Sequence, residues 1–334
     1  MKLSPAYFAL VMATGIVSIA ALDFNLPVLA KALFALNLVN YTVLCVLTVL
    51  RVVRHWPEFV ADLTDFRVGT GFFTLVAGTC IVGTQFRLIA DSVIAAEILF
   101  TIGIALWAVI TYTIFAAYTI KSDKPRLEQG ITGAWLIAVV ATQSIAVLGA
   151  LIARDVPQPH RIELNFFALS MWLWGGMFYI WIISLIFYRY IFFAFAPSDL
   201  APPSWITMGA MAISTLAGSL LVQNTPDAPF LESLAPFLKG FTVFYWATEM
   251  WWIPMLVILV VWRYLIKRFP LRYDPLYWGA VFPLGMYSVA TLQMSLALGL
   301  PFLGSLPRIF FIAALAAWTL AFSGMLLDLR KTVA

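Results

Sequence analysis

The sequence predicts an all-α integral membrane protein of ten transmembrane helices, paired as five tandem hairpins around a central pore. Three observations carry that expectation. Hydrophobic residues fill 63% of the 334 positions and charged residues only 11%, where a soluble domain carries roughly a quarter charged residues. The apolar residues come in blocks of about twenty, the length that crosses a hydrocarbon core of about 30 Å. Small and hydroxyl residues then recur in alternate blocks. Runs such as 99–117 show no period-two alternation, so an outer-membrane barrel is excluded.

Hydropathy and chain-breaking residues together set the spans at about 5–22, 32–50, 69–86, 92–119, 131–152, 162–188, 204–222, 241–262, 275–298 and 305–327. The first follows a single Lys2 and has no small-residue cleavage pattern, so it reads as a retained span and not a signal peptide. It carries Met12-Ala13-Thr14-Gly15-Ile16-Val17-Ser18. The second ends in apolar bulk over 43–50, and the third carries Ala77-Gly78-Thr79-Cys80-Ile81-Val82-Gly83-Thr84. The fourth has Glu97 and the sixth Glu163 in their opening turns, where a carboxylate meets the positive end of a helix. The fifth carries Ala141-Thr142-Gln143-Ser144, and the seventh Ile213-Ser214-Thr215-Leu216-Ala217-Gly218-Ser219. The sixth and eighth are bulky over 182–193 and 255–262, and the ninth carries Pro283-Leu284-Gly285-Met286-Tyr287-Ser288. The longest connections, about 51–68 and 223–240, leave no room for a folded extramembrane module. The chain 1–334 is expected to be one transmembrane domain.

Basic residues give the orientation. With the N-terminus inside, fourteen of the 20 Lys and Arg fall on the cytoplasmic side, among them Lys2, Arg272 and Lys331, and six on the other. Cytoplasmic loops are the basic ones, so both termini are expected in the cytoplasm of a cell whose inner (plasma) membrane holds the protein. The net charge of +4 then reflects topology, and no nucleic-acid partner is expected.

The odd-numbered spans are small-residue rich and the even ones bulky, which predicts an inner and an outer layer. Thr14, Gly15, Ser18, Gly78, Thr79, Thr142, Ser144, Ser214, Thr215, Gly218, Pro283, Gly285 and Ser288 are the pore-lining candidates; the competing role for each is helix packing. A path lined by hydroxyls and backbone carbonyls, with no recurring carboxylate, suits a weakly held anion more than a cation.

Ionisable residues inside the bilayer are costly and usually functional, and Glu249 is the clearest candidate. It lies in Trp246-Ala247-Thr248-Glu249-Met250-Trp251-Trp252, so it is either an interfacial carboxylate in an aromatic belt or a proton-coupling group, with Arg87 or Arg308 as partner. Cys45 and Cys80 stand alone, and His55 and His160 both fall in loops. That leaves no metal-ligand spacing and no pair of axial haem ligands, and HExxH and GxSxG are absent too. The sequence therefore points away from an enzyme and toward no cofactor. Phe282 precedes Pro283 and Gly285, residues that remove a helix hydrogen bond and soften the backbone; a ring there is either a packing residue or one thrown into the path.

Pro5-Ala6-Tyr7-Phe8 with Met12-Ala13-Thr14-Gly15, Pro202-Pro203-Ser204-Trp205-Ile206 with Gly209, and Trp278-Gly279-Ala280-Val281-Phe282-Pro283 resemble the tellurite-resistance/dicarboxylate transporter family. That family includes TehA-like bacterial proteins, fungal malate permeases and plant slow anion channels. The resemblance spans essentially the whole chain. It implies five hairpins around a pore, a homotrimer, passage of chloride, nitrate or C4-dicarboxylates, and a phenylalanine matching Phe282 that plugs the pore. The expected function is an anion channel or transporter for small anions or organic acids, with a proton-coupled dicarboxylate carrier using Glu249 as the alternative.

Overall fold

The computed structural model describes residues 3–271 and 273–333; Lys2, Arg272 and the Lys331 side chain, counted above toward the basic bias, lie outside that description. Among the described residues, ten helices are long and apolar enough to cross a membrane: α1 (Pro5–Asp23), α2 (Pro27–Arg54), α3 (Gly69–Ile89), α4 (Val93–Ile120), α5 (Gly133–Ile152), α6 (His160–Phe192), α7 (Pro202–Gln223), α8 (Ala235–Ile266), α9 (Pro275–Leu298) and α10 (Pro301–Arg330). The outer helices overrun the hydropathy windows most. Thus α8 begins at Ala235 and α10 at Pro301, because helix hydrogen bonding continues beyond the apolar stretch into the interface. The two longest connections hold the short helices Trp56–Leu63 and Pro229–Ser233.

Consecutive odd helices pack on one another in the order α1–α3–α5–α7–α9 and back to α1, and each even helix packs on the odd helix before it. The result is five hairpins with a closed inner ring. Burial separates the layers: the apolar windows of α1, α3, α5, α7 and α9 are 61–94% buried, those of the even helices 17–44%. Lipid is no worse a solvent for Leu than another Leu side chain, so bulk faces outward at little cost and small residues gather where backbones approach.

Each inner helix opens with a short 3₁₀ turn, at Pro5–Phe8, Gly69–Phe72, Gly133–Leu136, Pro202–Trp205 and Pro275–Tyr277. Side-chain caps close several of these starts. Ser4 Oγ accepts from the Ala6 N–H, Thr132 Oγ1 from the Ala134 N–H and Asp274 Oδ1 from the Leu276 N–H. All five starts lie on the face of the ring that carries both chain ends.

Neighbouring hairpins are stapled by one repeated contact. The Trp107 indole of α4 donates to Thr142 Oγ1 of α5 (2.8 Å), Trp246 of α8 to Thr291 Oγ1 of α9 (3.1 Å), and Trp318 of α10 to Thr14 Oγ1 of α1 (3.0 Å). Trp172 of α6 donates to the Ser214 carbonyl of α7 (2.8 Å), and the hydroxyls of Tyr41 in α2 and Thr79 in α3 share a hydrogen bond of 3.0 Å. Five outer helices thus each reach the inner helix of the next hairpin, and the fifth closes the circle.

Candidate functional site

Three cavities lie along the ring axis. On the face carrying the chain ends is a vestibule of about 560 Å³, lined by the starts of all five inner helices, including Ser4, Thr70, Gly133, Ser204 and Leu276. Arg189 lies in its wall, where its Nε donates to the Glu128 carbonyl (2.9 Å) and its guanidinium pairs with Asp199 (3.5 Å). Five helix N-termini, each with its positive dipole end, face this space.

Deeper lies a cavity of about 30 Å³ with side chains from all five inner helices, among them Met12, Thr74, Val140, Ile206 and Phe282. A third, of about 110 Å³, occupies the opposite half; Ile16, Ile81, Ser144, Ile213 and Met286 form its inner wall. The two are one helical turn apart. Met12 and Ile16 on α1, Val140 and Ser144 on α5, and Phe282 and Met286 on α9 each place the first residue in one cavity and the second in the other. Phe282 is 1% exposed at that boundary.

Of the residues expected at a pore, Ser144 lines the cavity of about 110 Å³ and Phe282 that of about 30 Å³. The other twelve line neither, and most of their polar groups are engaged elsewhere. Thr14, Thr79 and Thr142 belong to the staples, with Ser214 contributing its carbonyl. Ser18 donates to the Ala30 carbonyl of α2 (2.7 Å) and Ser288 to the Pro307 carbonyl of α10 (2.6 Å). Thr215 is buried with no hydrogen-bond partner for its hydroxyl. The glycines are contact points: Gly15 sits under Ile81 and Asn37, Gly78 under Val11 and Phe8, Gly218 under Thr242 and Trp172, and Gly285 under Ile16. Pro283 packs on Gly209 of α7.

Glu249 is not in an exposed aromatic belt. It is fully buried in α8, neither carboxyl oxygen has a hydrogen-bond partner, and Tyr179 and Tyr287 lie near it. Arg87 instead grips Asp155 (2.8 Å through Nη2) and Asp91 (2.9 Å), and Arg308 is exposed. Trp246 and Trp252 beside it turn inward, to Thr291 of α9 and Tyr179 of α6, while Trp251 is exposed, a division that composition alone does not give.

Beside Ser144, the polar side chains of the cavity of about 110 Å³ are ones that were not among the expected pore-lining residues. Asp23, Arg154 and Gln293 line it. Arg154 donates from Nε to Asn224 Oδ1 (2.8 Å) and from Nη2 to Gln223 Oε1 (2.8 Å). Partial burial lowers its pKa while Asp155 pulls it back up; a guanidinium stays charged under either influence. A sequence signal was available, since α1, α3, α5, α7 and α9 carry Asp23, Arg87, Arg154, Gln223 and Gln293 at or near their far ends.

The family model described as SLAC1, voltage-dependent anion channel, matches residues 2–326. An uncharacterized transporter of Methanocaldococcus jannaschii is 27% identical over 86% of this chain and 83% of its own length. A sulfite efflux pump of Trichophyton rubrum is 26% identical over 96% of this chain and 88% of its own. An uncharacterized membrane protein of Mycobacterium tuberculosis is 39% identical over 155 residues, which are 46% of this chain and 78% of that protein.

Proposed function

The chain belongs to the SLAC1 voltage-dependent anion channel family, and from that premise we propose that it conducts small anions along the ring axis through a path occluded by Phe282. Membership and the transporter relatives support anion transport across a membrane. One observation carries the finer reading: all five inner helices contribute to a cavity on either side of the same level, and Phe282 lies buried at that level on a helix interrupted by Pro283. A proline inside a helix leaves a carbonyl without its usual partner, so a small backbone change there swings the ring at modest cost.

The walls around Phe282 are apolar. An anion passing that level sheds water without gaining a cationic ligand, so weakly hydrated nitrate competes well with chloride. The vestibule, with five helix N-termini toward it, concentrates anions before that step. The outer-layer staples are outside the path and hold its diameter.

Anion flux in liposomes, measured for wild type beside Phe282→Ala, tests this. A gain of about tenfold or more is expected, since truncating the ring opens the narrowest level; unchanged flux with an intact fold rejects the gate.

A second reading is a proton-coupled carrier for dicarboxylates such as malate, or for sulfite as the fungal relatives' name indicates for them. The buried, unpartnered carboxyl of Glu249 favours it. Glu249→Gln is then expected to abolish acceleration of flux by an imposed proton gradient; equal pH independence in wild type and variant rejects it. Assembly as a homotrimer in the inner membrane completes the proposal, and light scattering of the solubilised protein checks the subunit number.

A further inference from the structure

The cavity of about 110 Å³ opposite the vestibule has aliphatic walls and a polar mouth. At that mouth Arg154 is held by two neutral oxygens, Asn224 Oδ1 and Gln223 Oε1, each at 2.8 Å. Asn224 is itself fixed, its Nδ2 donating to the Ala150 carbonyl and to Asn165 Oδ1, both at 2.8 Å. The guanidinium is therefore positioned without being neutralised. Its Nη1 has no protein acceptor, and no carboxylate lies within 4 Å of it among the described residues. Gln223 passes the chain on, its Nε2 reaching Gln293 Oε1 (3.2 Å) and the Gln293 carbonyl (3.3 Å). Gln293 lies against Asp23, whose Oδ2 is enclosed with no hydrogen-bond partner. Arg154 and Asp23 line one cavity yet form no ion pair, with the amides of Gln223 and Gln293 strung between them.

We propose that this cavity binds a monoanion that carries its own acidic O–H, a hydrogen oxyanion, with Arg154 Nη1 donating to the anion's charged oxygens and Asp23 Oδ2 accepting its hydrogen. A guanidinium fork matches a planar oxyanion. With Asp23 ionised, an anion without hydrogen sets a like charge against its carboxylate, whereas a hydrogen oxyanion turns the same contact into a charge-assisted hydrogen bond. Asp23 is thus a specificity residue and Arg154 a charge residue. The inference rests on the axial anion path only for the class of its occupant, and it adds a selection that the apolar level at Phe282 has no group to make.

Hydrogencarbonate and nitrate are the discriminating probes, because both are planar monoanions of three oxygens and only one carries a hydrogen. Binding to the purified full chain in nanodiscs is measured by titration calorimetry at a pH where hydrogencarbonate predominates. Wild type is expected to favour hydrogencarbonate by about tenfold or more, as sites built to bond a hydroxyl reject analogues that lack it. In Asp23→Asn and Asp23→Ser the preference collapses because nitrate gains, and Arg154→Gln weakens both anions alike. An unchanged ratio in both Asp23 variants, or undiminished binding in Arg154→Gln, overturns the proposal. Flux through Phe282→Ala reports on the path separately: loss of flux with binding intact condemns the path and leaves the site standing, and intact flux without binding does the reverse.

Discussion

Gly209 and Gly78 are both buried glycines of the inner ring, yet they answer differently to one added carbon. A Cβ at Gly209 would meet Pro283 Cγ at 2.7 Å and its Cα at 3.3 Å, while one at Gly78 would meet Val11 and Phe8 at 3.5–3.6 Å. The proline ring cannot rotate away, so Gly209→Ala is expected to lose about 1–3 kcal/mol of stability and to shift α9 where it carries Phe282. Gly78→Ala falls in ordinary contact and should be nearly neutral; unfolding of the two variants in one denaturing detergent series compares them. Glu249 presents the opposite case, a buried polar group without a partner. Glu249→Met should raise stability by about 1–3 kcal/mol, because it removes an unsatisfied group and keeps the volume. A destabilised Glu249→Met would mean that the carboxyl has a partner, such as an ordered water, that it needs.

At the scale of the helix, alternation of small and bulky spans was readable, and the direction of each hydroxyl was not. Residues two apart on a helix point about 200° apart. Hence Thr142 meets Trp107 of the outer layer while Ser144 lines the axial cavity, and Thr14 meets Trp318 while Ile16 lines the same cavity. Composition places all four at mid-membrane, and only the rotation of the packed helix sorts them. Asp23, Arg154 and Gln293 stand near the far ends of α1, α5 and α9 in the sequence, but their meeting in one cavity depends on the inner helices ending in register. Phe282 was singled out by the family resemblance, since a ring followed by proline in an inner helix is by itself as consistent with packing. The staples make a prediction of their own. Trp107→Phe and Thr142→Val are expected to cost similar amounts singly and little more together, with a coupling of about 0.5–1.5 kcal/mol in a double-mutant cycle. Additive losses would show that the indole contributes by packing alone.

For the molecule as a whole, the ring has two unlike faces, and the order in which a solute on the proposed path meets them depends on which one meets the cytoplasm. One face has the vestibule, five helix starts and both chain ends; the other has the mouth with Asp23 and Arg154. Among the described side chains, eleven Lys and Arg stand on the vestibule side and six on the other, a bias that argues for a cytoplasmic vestibule. Along the proposed path the negative interior potential drives anions outward in either orientation, so orientation fixes only the order in which an anion meets the two faces. The exposed side chains of Lys124, between α4 and α5, and Glu232, between α7 and α8, stand on opposite faces. In a background where Cys45 and Cys80 are serine, Glu232→Cys should react with a membrane-impermeant maleimide in intact cells, and Lys124→Cys only after permeabilisation. The reverse pattern would turn the mouth toward the cytoplasm, make Asp23 and Arg154 the first groups an exported anion meets, and place the Phe282 level after selection instead of before it.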